Sequence, residues 1–300
     1  TRSHQPCHRR GPSVKVLYDV STFLIGSVWA LCAAALMVLG FFRSISLEGG
    51  EGSRQLHIVG GLVPLHLDGT GGGREAEIVA AAFEAADMDL ELVFHTVPFG
   101  RHWAQFERDS RFGAVLMVPG DLDLGGYRSP EYTLYQNGII FRSDSFPDGL
   151  GADPLSGLTD KRVVSFPGAR DIIPGLDKDH SRFGLYAERP YQFSHAAMLE
   201  SGFVDAVIAD ELVTAHYLKR VAGHGALSDA SDYVFAPAFC PTAYRIVFRD
   251  EALRRAFARG LALIRENGEH ERITGRYQEN GVRRDSASGT MQEECQTWDD

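Results

Sequence analysis

The chain has 300 residues, 44% of them hydrophobic and 23% charged, with a formal net charge of −10 at pH 7. That length suits about two domains of roughly 150 residues, and the composition excludes a disordered, collagenous or disulfide-scaffold chain. The acidic balance argues against a general nucleic-acid binder, which needs basic surface to displace counterions from phosphates.

The charge is unevenly placed. Residues 1–43 carry Arg2, Arg9, Arg10, Lys15 and Arg43 against Asp19 alone, so the acidity belongs to the rest of the chain. Phe23 to Phe42 (FLIGSVWALCAAALMVLGFF) has no charged residue. A helix of about 20 residues spans about 30 Å, the thickness of a bilayer's hydrocarbon core. The basic residues precede the segment, so residues 1–22 are expected in the cytoplasm and the body outside it. An uncleaved anchor and a cleaved signal segment both fit. The run exceeds the about 7–15 apolar residues of a signal peptide, and Phe41-Phe42-Arg43-Ser44 is a poor cleavage site, which favours the anchor. Either way residues beyond 43 are exported, and in a two-membrane bacterium they are periplasmic.

Residues 43–54 read as a linker, after which strands and helices alternate. Leu56–Gly61 reads as a strand, and residues 68–73 as a glycine-rich loop. Arg74–Ala86 has a helical apolar stripe of Ile78, Val79, Ala82, Phe83 and Ala86. Leu90–Val97 is a strand, Phe99–Arg108 a short helix, and Ala114–Val118 a strand buried on both faces. Gln136–Phe141 is a further strand, and the Ser/Asp/Pro/Gly-rich stretch 143–157 looks like a boundary. The rhythm restarts with strand Arg162–Phe166 and a turn at Gly168-Ala169-Arg170. Strand Phe183–Ala187, helix Tyr191–Glu200, strand Val204–Asp210 and helix Glu211–Val221 follow. Two apolar runs, Tyr233–Phe239 and Ala243–Arg249, precede a long helix from Asp250 to Asn267 and a short one over Glu269–Tyr277. From Gln278 the tail is polar and acidic and is expected to be disordered. Alternation of this kind argues an α/β architecture. Cys240 and Cys295 are the two cysteines beyond the apolar segment, and their spacing alone does not pair them.

Several segments, in order, resemble the extracellular solute-binding proteins of family 3, the receptors of polar amino-acid ABC importers. Gly61-Leu62-Val63-Pro64 leads to a glycine-containing loop and an acidic helix start. Ser129-Pro130-Glu131-Tyr132 looks like the family's Phe-Ser-x-Pro-Tyr. Leu158 to Val163 and Phe166-Pro167-Gly168 match its next two segments. Leu199 to Asp210 (LESGFVDAVIAD) resembles its L-x-x-G-x-V-D-A-x-x-x-D, and Ile273 to Tyr277 its ending. The resemblance covers about residues 55–277. It implies a two-lobe periplasmic-binding-protein fold of type II, each lobe a mixed sheet flanked by helices. Residues 55–140 with 236–277 would form lobe 1, residues 145–230 lobe 2, and crossings near 138–143 and 232–238 the hinge. It implies an exported receptor that closes on a small polar organic ligand and meets ABC permease subunits, without a cofactor. A membrane-anchored sensing module and a dehydratase-like enzyme are the alternatives on the same fold.

The departures bear on the ligand. The family's carboxylate-clamping Arg, about ten residues before the Pro-Tyr tyrosine, falls here on Leu122 within Gly120-Asp121-Leu122-Asp123-Leu124, so the bidentate clamp is missing. A standard α-amino acid is therefore not the expected ligand. Asp210, ending an apolar strand, matches the family's ammonium-binding Asp; it equally suits the N-cap of the next helix. Gly168 and Arg170 could hold an anion at a helix start, or Arg170 could be solvated. Arg128 could replace the clamp. Phe99 could stack on a ligand with Arg101 in reach, or pack in the core. Tyr132 could line the cleft or pack with its hydroxyl paired. No catalytic or metal residue is assigned. There is no G-x-x-x-x-G-K-[ST] and no G-x-S-x-G, and Thr274 stands where the second His of a zinc-protease motif must be.

Overall fold

The computed structural model describes residues 54–278 and 283–285, apart from 121, 174 and 224–231. The apolar segment 23–42, the linker to residue 53 and most of the tail lie outside the described residues. Within them no helix is long and apolar enough to cross a membrane.

The first sheet begins with β1 (Arg54–Leu62), which leads through a loop into α1 (Arg74–Ala85). β2 (Leu90–Pro98) returns parallel to β1 with nine paired positions. After α2 (Arg101–Arg108), β3 (Ala114–Pro119) pairs parallel to β1 on its other side. The short strands β4 (Tyr127–Arg128) and β5 (Thr133–Tyr135) follow. The second sheet starts with β6 (Asn137–Arg142) and β7 (Arg162–Ser165). Two single-turn helices, α3 (Ala169–Ile172) and α4 (Leu176–Asp179), lead to β8 (Leu185–Glu188). Then come α5 (Gln192–Glu200), β9 (Ala206–Asp210), α6 (Glu211–Gly223) and β10 (Tyr233–Ala236). β11 (Thr242–Phe248) goes back to the first sheet, antiparallel to β3, β4 and β5, and α7 (Glu251–Glu266) and α8 (Glu269–Arg276) close that lobe.

Strand order is β2-β1-β3-β11-β4 in the first sheet, with β5 also on β11. In the second it is β10-β6-β9-β7-β8, with one further strand outside β10. That strand is β12 (Arg283–Arg284), part of the tail expected to be disordered. The correction has a local cause. Arg284 pairs with Glu211 at 2.5 Å and stands 6.0 Å from the Phe235 ring, and the Asp285 amide donates to the Phe235 carbonyl. These contacts offset the entropy of ordering a few residues.

Each sheet has its own core. On one side of the first, Phe83 of α1 and Phe257 of α7 meet Phe248 and Tyr132. Gly260 is where α7 crosses α1: a Cβ there would lie 1.6 Å from the Ala82 carbonyl oxygen, so only glycine lets the helices approach this closely. On the other side Phe106 of α2 packs with Val59, Phe112, Val115 and Val118. The second core gathers β6, β7, β9 and β10 with Leu199 and Leu218.

The segments read as hinge crossings, 138–143 and 232–238, are largely strands β6 and β10 of the second sheet. The chain passes between sheets at Gln136 and again over residues 237–241. The two passages are tied together. The Gln136 side chain donates to the Phe239 carbonyl at 3.0 Å, and Asn137 Nδ2 donates to Thr242 Oγ1 at 3.1 Å in a buried contact. Cys240, in the return passage, is disulfide-bonded.

Two buried histidines give this fold an acid-sensitive stability. His102 of α2 and His195 of α5 are 0% and 1% exposed. Burial holds His102 down at about 3 and His195 at about 4, so both are neutral in the native state. Unfolded histidine titrates near about 6.5. Below that pH the unfolded chain takes up protons that the native chain does not, so stability falls as pH falls. The loss is up to about 1.4 kcal/mol per pH unit for each histidine until the native values are reached. Urea unfolding at pH 7.5, 6 and 5 is expected to show a falling midpoint; equal midpoints at 7.5 and 5 would refute the assignment.

Candidate functional site

The loop from β1 to α1 sets one wall of the site. Val63 and Leu67 exchange backbone hydrogen bonds across a tight turn that carries His66. The Leu65 and His66 carbonyls then accept from the Arg74 and Glu75 amides, at 2.9 and 2.8 Å. Gly73 has φ 112°, and a Cβ there would come 2.6 Å from the His66 carbonyl oxygen, so glycine is what allows the turn to sit on the helix start. Asp68 closes the loop by accepting from the Thr70 and Gly72 amides. The outcome is that His66, Arg74 and Glu75, all buried, stand at the carboxyl end of β1.

Asp210 supplies the facing wall. It ends β9, where the extended backbone turns into α6, and its Oδ1 accepts from the Leu212 and Val213 amides at 3.0 and 3.1 Å. The N-cap role is thus present, and the carboxylate also reaches across to the first lobe. His66 Nε2 lies 3.3 Å from Asp210 Oδ1, while His66 Nδ1 lies 3.5 Å from Glu75 Oε1. Arg74 continues the row, 3.3 Å from Glu75 and donating at 2.7 Å to Thr133 Oγ1 and at 3.2 Å to the Leu134 carbonyl. Tyr135 stacks on His66 at 4.0 Å between centroids.

Charge states follow from the neighbours. Burial pushes the Asp210 carboxyl up, but His66, Arg74 and the Val213 amide outweigh it, and the group lies below the usual carboxylate range. Burial likewise raises Glu75, and His66, Arg74 and Tyr132 bring it below that range. Both are ionised at neutral pH. A carboxyl held low is a poor general acid.

Beside this row lies a gap lined from both sheets. Val63, Phe99, Tyr135 and Tyr244 come from the first lobe, and Asn137, Phe166, Gln192, Asp210 and Val213 from the second. The cavity itself is about 10 Å³, room for no more than a water, so the lobes stand closed on each other. Phe99 meets Phe166 edge to face across it at 5.9 Å. Several polar atoms on or behind its wall are buried without a hydrogen-bond partner: Tyr135 OH, Glu75 Oε2 and Arg74 Nε. Such a concentration of unmet polar groups is uncommon in a finished core.

The other expected ligand contacts lie elsewhere. Arg128 donates to the Gly120 and Leu122 carbonyls, so its guanidinium braces the loop after β3. The amides of Gly168 and Arg170, at the start of α3, are taken by the Glu188 carboxylate at 2.7 and 3.2 Å, and the Arg170 side chain leans on the same group at 3.6 Å. The anion that this turn meets is one of the chain's own. Arg101 is exposed at the start of α2. Tyr132 is fully buried in the first core, its hydroxyl accepting from the Met117 amide at 3.3 Å. Phe99 and Asp210 do line the gap. His66, Arg74, Glu75, Tyr135 and Asn137 were not singled out from the sequence. The signal available was position alone: they follow the first strand or flank the first passage, where α/β folds bind ligands.

Comparison with known proteins gives the same architecture. An ancestral arginine-binding protein bound to arginine superimposes with a TM-score of 0.58 at 16% identity, over 75% of this chain and 98% of the other. The chain thus shares the fold of that binding protein. No family model matches it. A probable histidine-binding protein of Neisseria gonorrhoeae is 35% identical over 117 residues, 38% of this chain. The chain thus spans about two fifths of the length of that curated relative. A Streptococcus pneumoniae substrate-binding protein of an ABC uptake transporter, with bound histidine, has the same fold at TM-score 0.57 and 12% identity, over 76% of this chain and 94% of that one. So does a histidine kinase sensor domain similar to periplasmic binding proteins, at TM-score 0.56 and 18% identity over 75% and 96%. The same fold therefore occurs in proteins named for transport and for sensing.

Proposed function

We propose that the chain is an exported receptor that captures a small polar organic ligand between its two lobes and passes it to the permease of an ABC-type importer. The observation that carries this reading is the interlobe gap, where a buried carboxylate, two amide side chains and four aromatic rings converge from two separate sheets. A ligand touching both walls binds the closed form better than the open one, and that differential affinity drives closure. The names of the matched proteins support binding rather than catalysis, as does a cleft carboxylate held in its ionised form. The disulfide at Cys240 fits an oxidising, exported compartment. Anchoring through residues 23–42 belongs to the same proposal.

The test is a thermal-shift screen of the purified chain against polar metabolites, with small-angle scattering on the hits. A cleft ligand is expected to raise the melting temperature by mass action and to shift the population of closed molecules. A chain that responds to no small molecule but holds a stable protein partner would overturn the receptor reading.

A further inference from the structure

The gap between the lobes also speaks to the charge of what enters it. Its described lining contains one ionised side chain, Asp210, and no Lys or Arg. The basic groups nearby face other partners, with Arg74 Nε alone left over. Arg74 is buried against Glu75, Thr133 and the Leu134 carbonyl. Arg128 braces backbone carbonyls, and Arg170 leans on Glu188. A ligand carboxylate entering here would meet Asp210 and find no forked donor to neutralise it. A cation would meet a carboxylate that is 6% exposed and four aromatic residues, Phe99, Tyr135, Phe166 and Tyr244. Aromatic rings attract ammonium groups through their negative faces, most strongly where water is excluded. The Tyr135 hydroxyl, buried and without a partner, offers one more polar contact.

We infer that the interlobe site takes a small organic cation, an amine or quaternary ammonium without a carboxylate. This rests on the receptor reading above. His66 Nε2 lies 3.3 Å from Asp210 Oδ1 on the wall of the gap. Arg74 and Glu75 offset each other's charge, and Asp210 is the carboxylate that faces the gap. The row behind the cleft thus holds the carboxylate in place.

Isothermal titration of the whole chain with tetramethylammonium, choline, succinate, histidine and arginine tests this, using Asp210→Asn and Phe99→Leu as variants. Asparagine caps a helix as well as aspartate does, so Asp210→Asn keeps the α6 start while removing the charge. The expected result is binding of the two quaternary ammonium probes and not of succinate. Asp210→Asn should weaken that binding about 30-fold or more. Phe99→Leu, which keeps an apolar group but no ring, should weaken it about 2- to 30-fold. Binding of succinate or of the amino acids, with no ammonium probe bound, would overturn the cation assignment and leave capture in the cleft standing. Ammonium binding unchanged in Asp210→Asn would overturn the site. Binding of none of the five would overturn the cation assignment, and the metabolite screen above would then decide the receptor reading.

Discussion

Glu75→Ala is expected to destabilise the protein by about 3–5 kcal/mol, because it leaves the buried Arg74 guanidinium without its carboxylate. Arg74 and Glu75 are 4% and 0% exposed, 3.3 Å apart, and Glu75 is also the group that faces His66 Nδ1. The cost is that of the charge left behind, not the net worth of the pair. Replacing both, Arg74→Met with Glu75→Leu, should therefore recover most of the loss, since an apolar pair of similar volume needs no compensation. Urea unfolding of the two single variants and the double variant measures the coupling. A loss below about 1 kcal/mol in Glu75→Ala would mean that Arg74 finds water in the native state, contrary to its burial.

The second large effect belongs to Phe257. Its ring is fully buried on α7 and meets Phe83 at 5.8 Å, Phe248 at 5.6 Å and Tyr132 at 6.2 Å between centroids. Truncation to alanine removes the apolar contacts and leaves a cavity bordered by α1, β11 and the segment before β5, so about 3–5 kcal/mol is expected. Phe257→Leu should cost less than half of that, because the cavity is smaller. Near-equal losses in the two variants, measured by denaturant midpoint at constant slope, would show that shape rather than volume is what the site needs. The effect should reach the first lobe as a whole, since Tyr132 links this cluster to the Met117 amide of β3.

The framework was legible because it is written in local periodicity. The continuous apolar run Ala114–Val118 became β3, buried over all but its last residue, and the stripe Leu253, Phe257, Leu261 and Ile264 became the buried face of α7. Asp210 was legible as both strand end and helix cap, because the cap involves residues two and three positions away. The order of such local signals over about 220 residues also carried the resemblance that fixed the architecture. What local pattern could not supply was the partner of each charge. His66 and Asp210 are 144 residues apart, and their contact exists only once β1 and β9 belong to facing lobes. Glu188 fills the amides at Gly168 from 20 residues away, and Arg128 turns to the carbonyls of the preceding loop, so neither basic side chain lines the cleft. The sequence by itself determined the elements, their order and the absence of a clamping arginine at Leu122. Only the tertiary structure decided which charges are spent and which face the gap, because hydrogen bonds and ion pairs depend on distances that chain separation does not encode.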